Sequence, residues 1–161
     1  MNKICAFFGH RNTPISLNLE QKLEKTIRQL INDSVYEFWC CNEGTFDHLS
    51  KIIMLRLKKD YPYIHLCYIS AYNPQNFPKL KKQTLEQDFE IIFPTKLTNT
   101  PPKYAIPKRN QYIVDNTDYI IAYITNTKGG AYNAIKYAQT KKKKIIFLSP
   151  SKETKINTPF F

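Results

Sequence analysis

Hydrophobic residues in this chain fall into short runs separated by helical stripes. The run at 3–8 closes on Gly9, and over 19–31 Leu19, Leu23, Ile27, Leu30 and Ile31 then recur at the spacing of one helix face. Asn18 followed by Gln21 reads as a capping box at the start of that helix. A second run, 35–41, is interrupted at Asn42, Glu43 and Gly44, and Leu49, Ile52, Ile53, Met54 and Leu57 stripe a helix over 46–59. A third run covers 64–70. Strand, helix and strand repeated in this way predict neighbouring parallel strands joined by right-handed crossovers.

The pattern breaks over 71–108, which is rich in Pro, Asn and Lys and holds one short apolar segment, 89–93. A stretch of this length inside a compact domain reads as a functional loop or lid inserted after the third strand. Tyr72, Phe77, Phe89, Phe93 and Tyr104 supply aromatics to pack it down. Regularity returns with a short helix at 109–114, a strand at 118–124, a helix at 130–140 and a last strand at 144–148. Five strands alternating with helices predict a Rossmann-like, doubly wound α/β fold. Its mostly parallel five-stranded sheet carries helices on both faces, with the first strand central and the strand order reversing beside it. Ligands of such sheets bind outside the carboxyl ends of the strands at that reversal. The 161 residues suit one domain, 1–150, and a tail, 151–161, that is polar apart from Phe160 and Phe161.

Composition narrows the partner. The 24 Lys and Arg against 13 Asp and Glu give a formal charge of +11, so anions are attracted: nucleic acid, an acidic membrane surface or a phosphorylated metabolite. The densest run, Lys141 to Lys144, reads as a solvated loop. A hydrophobic fraction of 42% with 14% aromatics excludes a disordered chain. No stretch approaches the ~18 apolar residues of a membrane span, and the amino terminus lacks a signal-peptide pattern. The expectation is a cytoplasmic protein with no membrane partner, folding alone or as a homo-oligomer. Cys5, Cys40, Cys41 and Cys67 lie inside the strand runs and read as reduced core residues, with Cys40 and Cys41 on opposite faces of one strand. With no paired metal-ligand spacing, neither a metal nor a cofactor is expected, and His48 and His65 read as surface or core fillers.

The four glycines, Gly9, Gly44, Gly129 and Gly130, each follow a strand or open a helix. Bare backbone amides there suit close approach to a ligand, and helix amino termini carry orphan N–H groups suited to phosphate. Polar residues share these loops: His10 and Arg11 after the first strand, Asn42 and Asp47 around the second loop, Arg109, Asn110 and Asp115 before the fourth strand, and Thr127 before the double glycine. Arginine offers phosphate a bidentate fork, and carboxylate or amide groups suit ribose hydroxyls or a base edge. Turn formation, helix capping by Asp47 and ion pairing by Asp115 are the structural alternatives.

Several of these segments resemble a known family. Cys5-Ala6-Phe7-Phe8-Gly9-His10-Arg11 is similar to the opening strand and Gly-His-Arg loop of YpsA/YoqJ-like proteins of the SLOG superfamily, which also includes DprA and the Lonely-guy enzymes. Asn42-Glu43-Gly44-Thr45-Phe46-Asp47 resembles their Gly-rich turn ending in Phe-Asp. The segment from Pro101 to the Arg109-Asn110 pair, Asp115-Asn116-Thr117-Asp118-Tyr119, and Lys128-Gly129-Gly130-Ala131 match further motifs in order. The resemblance implies a nucleotide or nucleotide-sugar site built from these loops, with Phe46 and Ala131 added to it. One departure stands out: Lonely-guy enzymes carry a longer Pro-Gly-Gly-x-Gly-Thr motif followed by an acidic residue, and the matching carboxylate is absent here. Glycosidic cleavage generally uses a carboxylate beside the anomeric centre, and Glu43 or Asp47 remain as sources of one. Three functions stay open: a sensor or sequestering protein for a nucleotide-derived molecule, such as an ADP-ribose-type NAD-derived signal or a cyclic nucleotide; a nucleotide N-glycosidase or phosphoribohydrolase; and a single-stranded nucleic-acid binder.

Overall fold

The apolar runs become the strands of one parallel sheet. In the computed structural model, which describes residues 2–76 and 88–148, β1 (Lys3–Gly9), α1 (Leu17–Asn32), β2 (Val35–Cys40), α2 (Thr45–Asp60) and β3 (His65–Ile69) follow one another as the hydrophobic periodicity requires. Then come β4 (Phe89–Ile92), a 3-10 turn (Thr95–Leu97), α3 (Pro102–Asn116), β5 (Tyr119–Tyr123), α4 (Gly130–Thr140) and β6 (Lys144–Phe147). The strand order is β4-β3-β2-β1-β5-β6, with every pairing parallel. β1 is central, and the winding direction reverses between β1 and β5.

Alternation along each strand sorts side chains onto two faces. Cys5, Phe7, Phe38, Cys40, Leu66 and Ile121 pack with Leu23, Ile27, Phe46, Ile53 and Leu57 of α1 and α2. On the opposite face Ala6, Phe8, Trp39, Cys41, Ile69 and Ile120 pack with Ile113 and Val114 of α3 and Ala134, Ile135 and Ala138 of α4. Cys40 and Cys41 accordingly face opposite cores, and all four cysteines are free and buried.

Three expectations need correction. The sheet has six strands rather than five, because Phe89–Ile92 pairs with β3 through Leu66↔Phe89 to Ile69↔Ile92. The helix placed at 109–114 spans Pro102–Asn116, so the insertion after β3 is shorter than 71–108. Pro101 caps it and Pro102 takes the first turn, where a missing N–H costs nothing. Helix α1 begins earlier than Asn18: Ser16 is its cap, and its hydroxyl accepts the Leu19 N–H at 3.1 Å. Phe77 and the tail 151–161 lie outside the described residues. Ser16→Ala is expected to lower stability by about 1 kcal/mol, while Asn18→Ala, on the exposed face of the first turn, stays within about 0.5 kcal/mol; urea denaturation of the two variants distinguishes the caps.

Candidate functional site

The loops after β1, β2 and β5 and the start of α4 meet at the carboxyl edge of the sheet, beside the reversal of strand order. There they enclose a cleft of about 480 Å³. Of the residues singled out from sequence, Gly9, His10, Arg11, Asp47, Arg109, Asn110, Gly129, Gly130 and Ala131 line it. His10 bridges the two strands flanking the reversal, its Nε2 accepting the Asn126 N–H at 3.2 Å. That bond leaves Nδ1 as the donor of a neutral ring, and burial holds its pKa below the usual histidine value.

Arg109 dominates the floor. It is 1% exposed, and its Nη1 donates to Glu43 Oε1 at 3.1 Å while Nε and Nη2 donate to Asn110 Oδ1 at 3.2 and 3.1 Å. Burial opposes its charge, yet the neighbouring Glu43 and Asp47 carboxylates outweigh that and hold it cationic. Glu43 also meets the exposed Arg11, with Nη2 to Oε2 at 3.5 Å. Asp47 sits 6% exposed on the first turn of α2 and accepts the Glu43 N–H through Oδ2 at 2.9 Å. Burial raises its pKa to about 6, against the opposing pull of that N–H and of Arg109. The same desolvation pushes the Cys41 thiol to about 12, so it is not a nucleophile.

The rim opposite is the amino terminus of α4. Gly129 caps it at φ 94 without a side-chain hydrogen bond, and no acidic residue lies in the first turn. A Cβ on Gly129 would meet nothing within 4 Å, so bare main-chain donors face the cleft. Lys128 completes the cationic side. The arrangement suits a phosphate held by helix amides and cations, with the Asn110 amide and two carboxylates available to hydroxyl or base groups.

The other predicted residues do different work. Phe46 is fully buried against Gly9, where an added Cβ would come 2.3 Å from its Cγ; that glycine is required by packing. Gly44, at φ 133, sits where a Cβ would come 2.4 Å from the Arg11 Cα and carbonyl oxygen, so it lets the second loop close on the first. Thr45 seals this junction, its hydroxyl donating to the Thr13 carbonyl at 2.7 Å. Asn42 and Thr127 are exposed outside the lining. Asp115 lies at the far end of α3, accepting the Tyr137 hydroxyl at 2.8 Å. Sequence reading left out Asn12, Ile106, Thr125, Asn126 and Lys128, and treated Glu43 only as a spare carboxylate. Its neighbours in the second loop were the available signal for Glu43.

No family model matches the sequence, and no curated protein matches it. Solved structures share its fold. DNA processing protein A (DprA) from Streptococcus pneumoniae is similar over 91% of this chain at 16% identity and a TM-score of 0.67; the chain spans 50% of that protein's length. DprA from Helicobacter pylori, a structure concerned with single-stranded DNA binding, is similar over 98% of this chain and 68% of its own at 17% identity, with a TM-score of 0.61. The fold is therefore a DprA-like, Rossmann-type fold.

Gly9→Ala is expected to cost about 1–3 kcal/mol of stability through overpacking, with part of the loss recovered in a Gly9→Ala, Phe46→Leu double variant; thermal unfolding of the cycle measures the coupling. Asp47 favours folding while it is protonated, below about pH 4, and that contribution disappears as pH rises through its folded pKa of about 6. Asp47→Asn should remove this step, worth roughly 1–3 kcal/mol, so urea midpoints at about pH 4 and pH 7.5 should move closer together in the variant.

Proposed function

We propose that the cleft binds a nucleotide through its phosphate, and that the nucleotide belongs to a single strand of nucleic acid. The uncapped amino terminus of α4, facing Arg11 and the Arg109–Glu43 pair, carries the reading. The charge of +11 and the likeness in fold to DprA, whose Helicobacter pylori member binds single-stranded DNA, favour a strand over a lone ligand. The motif resemblance to YpsA/YoqJ-like SLOG proteins favours a second reading, a free nucleotide-derived molecule such as ADP-ribose, sensed or sequestered. Both carboxylates are already engaged, Glu43 by two arginines and Asp47 by the Glu43 N–H, which suits binding better than glycosidic cleavage.

Fluorescence anisotropy with a labelled oligothymidylate tests the proposal. Binding should weaken steeply with salt, and Gly130→Asp, which sets a carboxylate at the phosphate seat with only Asn110 Nδ2 within 4 Å, should weaken it at least tenfold; like charges ~4 Å apart repel by about 4 kcal/mol at an effective dielectric constant of 20. Displacement of the oligonucleotide by equimolar ADP-ribose, recovered intact on chromatography, would establish the second reading instead. Release of free base would establish a glycosidase. Absence of binding to either ligand class would overturn the site.

A further inference from the structure

Toward the amino ends of β2 and β3, three side chains of metal-ligating type converge. The parallel register sets Glu37 opposite His65 and Trp39 opposite Cys67, and it sets Cys67 opposite Glu90 of β4. Alternation then turns Glu37, His65 and Cys67 to one face. Cys67 Sγ lies 3.8 Å from Glu37 Oε1 and from His65 Nδ1, and 3.7 Å from His65 Nε2, while His65 Nδ1 lies 3.9 Å from Glu37 Oε2. The three ligand atoms lie within 4.8 Å of one another, from which small side-chain rotations reach the ~2.3 Å zinc–sulfur and ~2.0–2.2 Å zinc–nitrogen or zinc–oxygen bonds.

The surroundings also suit a metal. Glu90 Oε2 is 2.7 Å from His65 Nε2. A proton on Nε2 shared with Glu90 frees Nδ1 to act as a ligand, the carboxylate–histidine support typical of zinc ligands. The Trp39 indole N–H donates to Glu37 Oε1 at 2.8 Å and steadies the carboxylate. Cys67 is fully buried, while the His65 side chain is 51% exposed, so the group closes on the core and opens to solvent. His65 therefore does more than fill a surface position. Because its partners come from three strands, no C-x-x-C or H-x-x-H spacing announced them.

We propose that Glu37, His65 and Cys67 form a zinc-class transition-metal site, with Glu90 orienting His65 and a fourth position open to water. On binding, the Cys67 thiol proton leaves to solvent as the metal–sulfur bond forms, and the Nε2 proton stays shared with Glu90.

Cobalt(II) titration of the metal-stripped full chain tests this. A thiolate-to-cobalt charge-transfer band should saturate at one equivalent, quench the fluorescence of Trp39, the single tryptophan of the chain, and vanish on adding zinc. Cys67→Ser should abolish the band while Cys41→Ser keeps it. Glu90→Gln should weaken cobalt binding about 10- to 100-fold, the usual effect of losing a supporting carboxylate. His65→Gln, at a half-exposed position that folding tolerates, should remove one-equivalent binding even if Cys67→Ser proves unstable. A folded wild-type protein without the band, or a band that survives His65→Gln unchanged, would overturn the proposal.

Discussion

A guanidinium with 1% exposure must be compensated where it sits, and most of the cleft follows from how Arg109 achieves this. An unpaired charge at such a position would cost several kcal/mol. Glu43, 66 residues away in sequence, supplies the counter-charge, and Asn110 takes the remaining donors. The pairing ties α3, on one face of the sheet, to the loop that leads into α2 on the other. Because Glu43 also holds Arg11, and the Thr45 hydroxyl donates to the Arg11 and Thr13 carbonyls, the first two loops and α3 are fixed by one network. An arriving phosphate consequently finds Arg109 already engaged and must share it with Glu43 or displace that carboxylate. The first turn of α4 has no side-chain cap and no acidic residue, unlike that of α2 with Asp47, which makes it the natural first contact.

Sequence reading cut α3 short, opening it at Arg109 instead of Pro102. Ala105, Arg109 and Ile113 recur four apart on the buried face of α3, a clear helical stripe once Arg109 is admitted to it. The prolines at 101, 102 and 107 suggest a loop as far as Lys108, and a charged Arg109 hides the continuity of the stripe back to Ala105. Two of those prolines open the helix, and the Arg109–Asn110 pair is buried only because a partner from a distant loop meets it. β4 was obscure for a different reason: four residues give too little alternation to tell a strand from a packed loop, and only its partner β3 identifies it. The long amphipathic helices and the central strands needed no such partner, so their pattern was legible.

Motif resemblance and glycine placement located the cleft but assigned too many residues to it. Gly9 closes β1 and Gly44 and Gly129 follow strands, yet each answers to a separate constraint: Phe46 above Gly9, the Arg11 backbone against Gly44, and open space before Gly129. Only the last has a form that invites a ligand rather than a neighbour. Phe46 shares its motif with Asp47, and consecutive helix positions point in different directions, so one enters the core and the other reaches the cleft. A motif fixes where a loop goes; the side-chain direction within it decides which residues meet a ligand.

Parallel α/β architecture also separates two kinds of chemistry. Each helix runs against its strands, so amino termini gather at the carboxyl edge of the sheet and helix carboxyl termini at the amino edge. The first edge carries partial positive charge and the second partial negative charge. Cations answer the latter: Lys58 donates to the Pro62 and Ile64 carbonyls after α2, and Lys143 to the Asp115 and Thr117 carbonyls at the end of α3. The Lys141 to Lys144 run clusters there with Lys3, at the edge opposite the cleft, so the densest basic patch is not the phosphate seat. Beyond a Debye length its field is largely screened. Affinity at the cleft must then come from local donors, namely helix amides, Arg11, Lys128 and a shared Arg109, with the overall charge acting mainly on the rate of encounter.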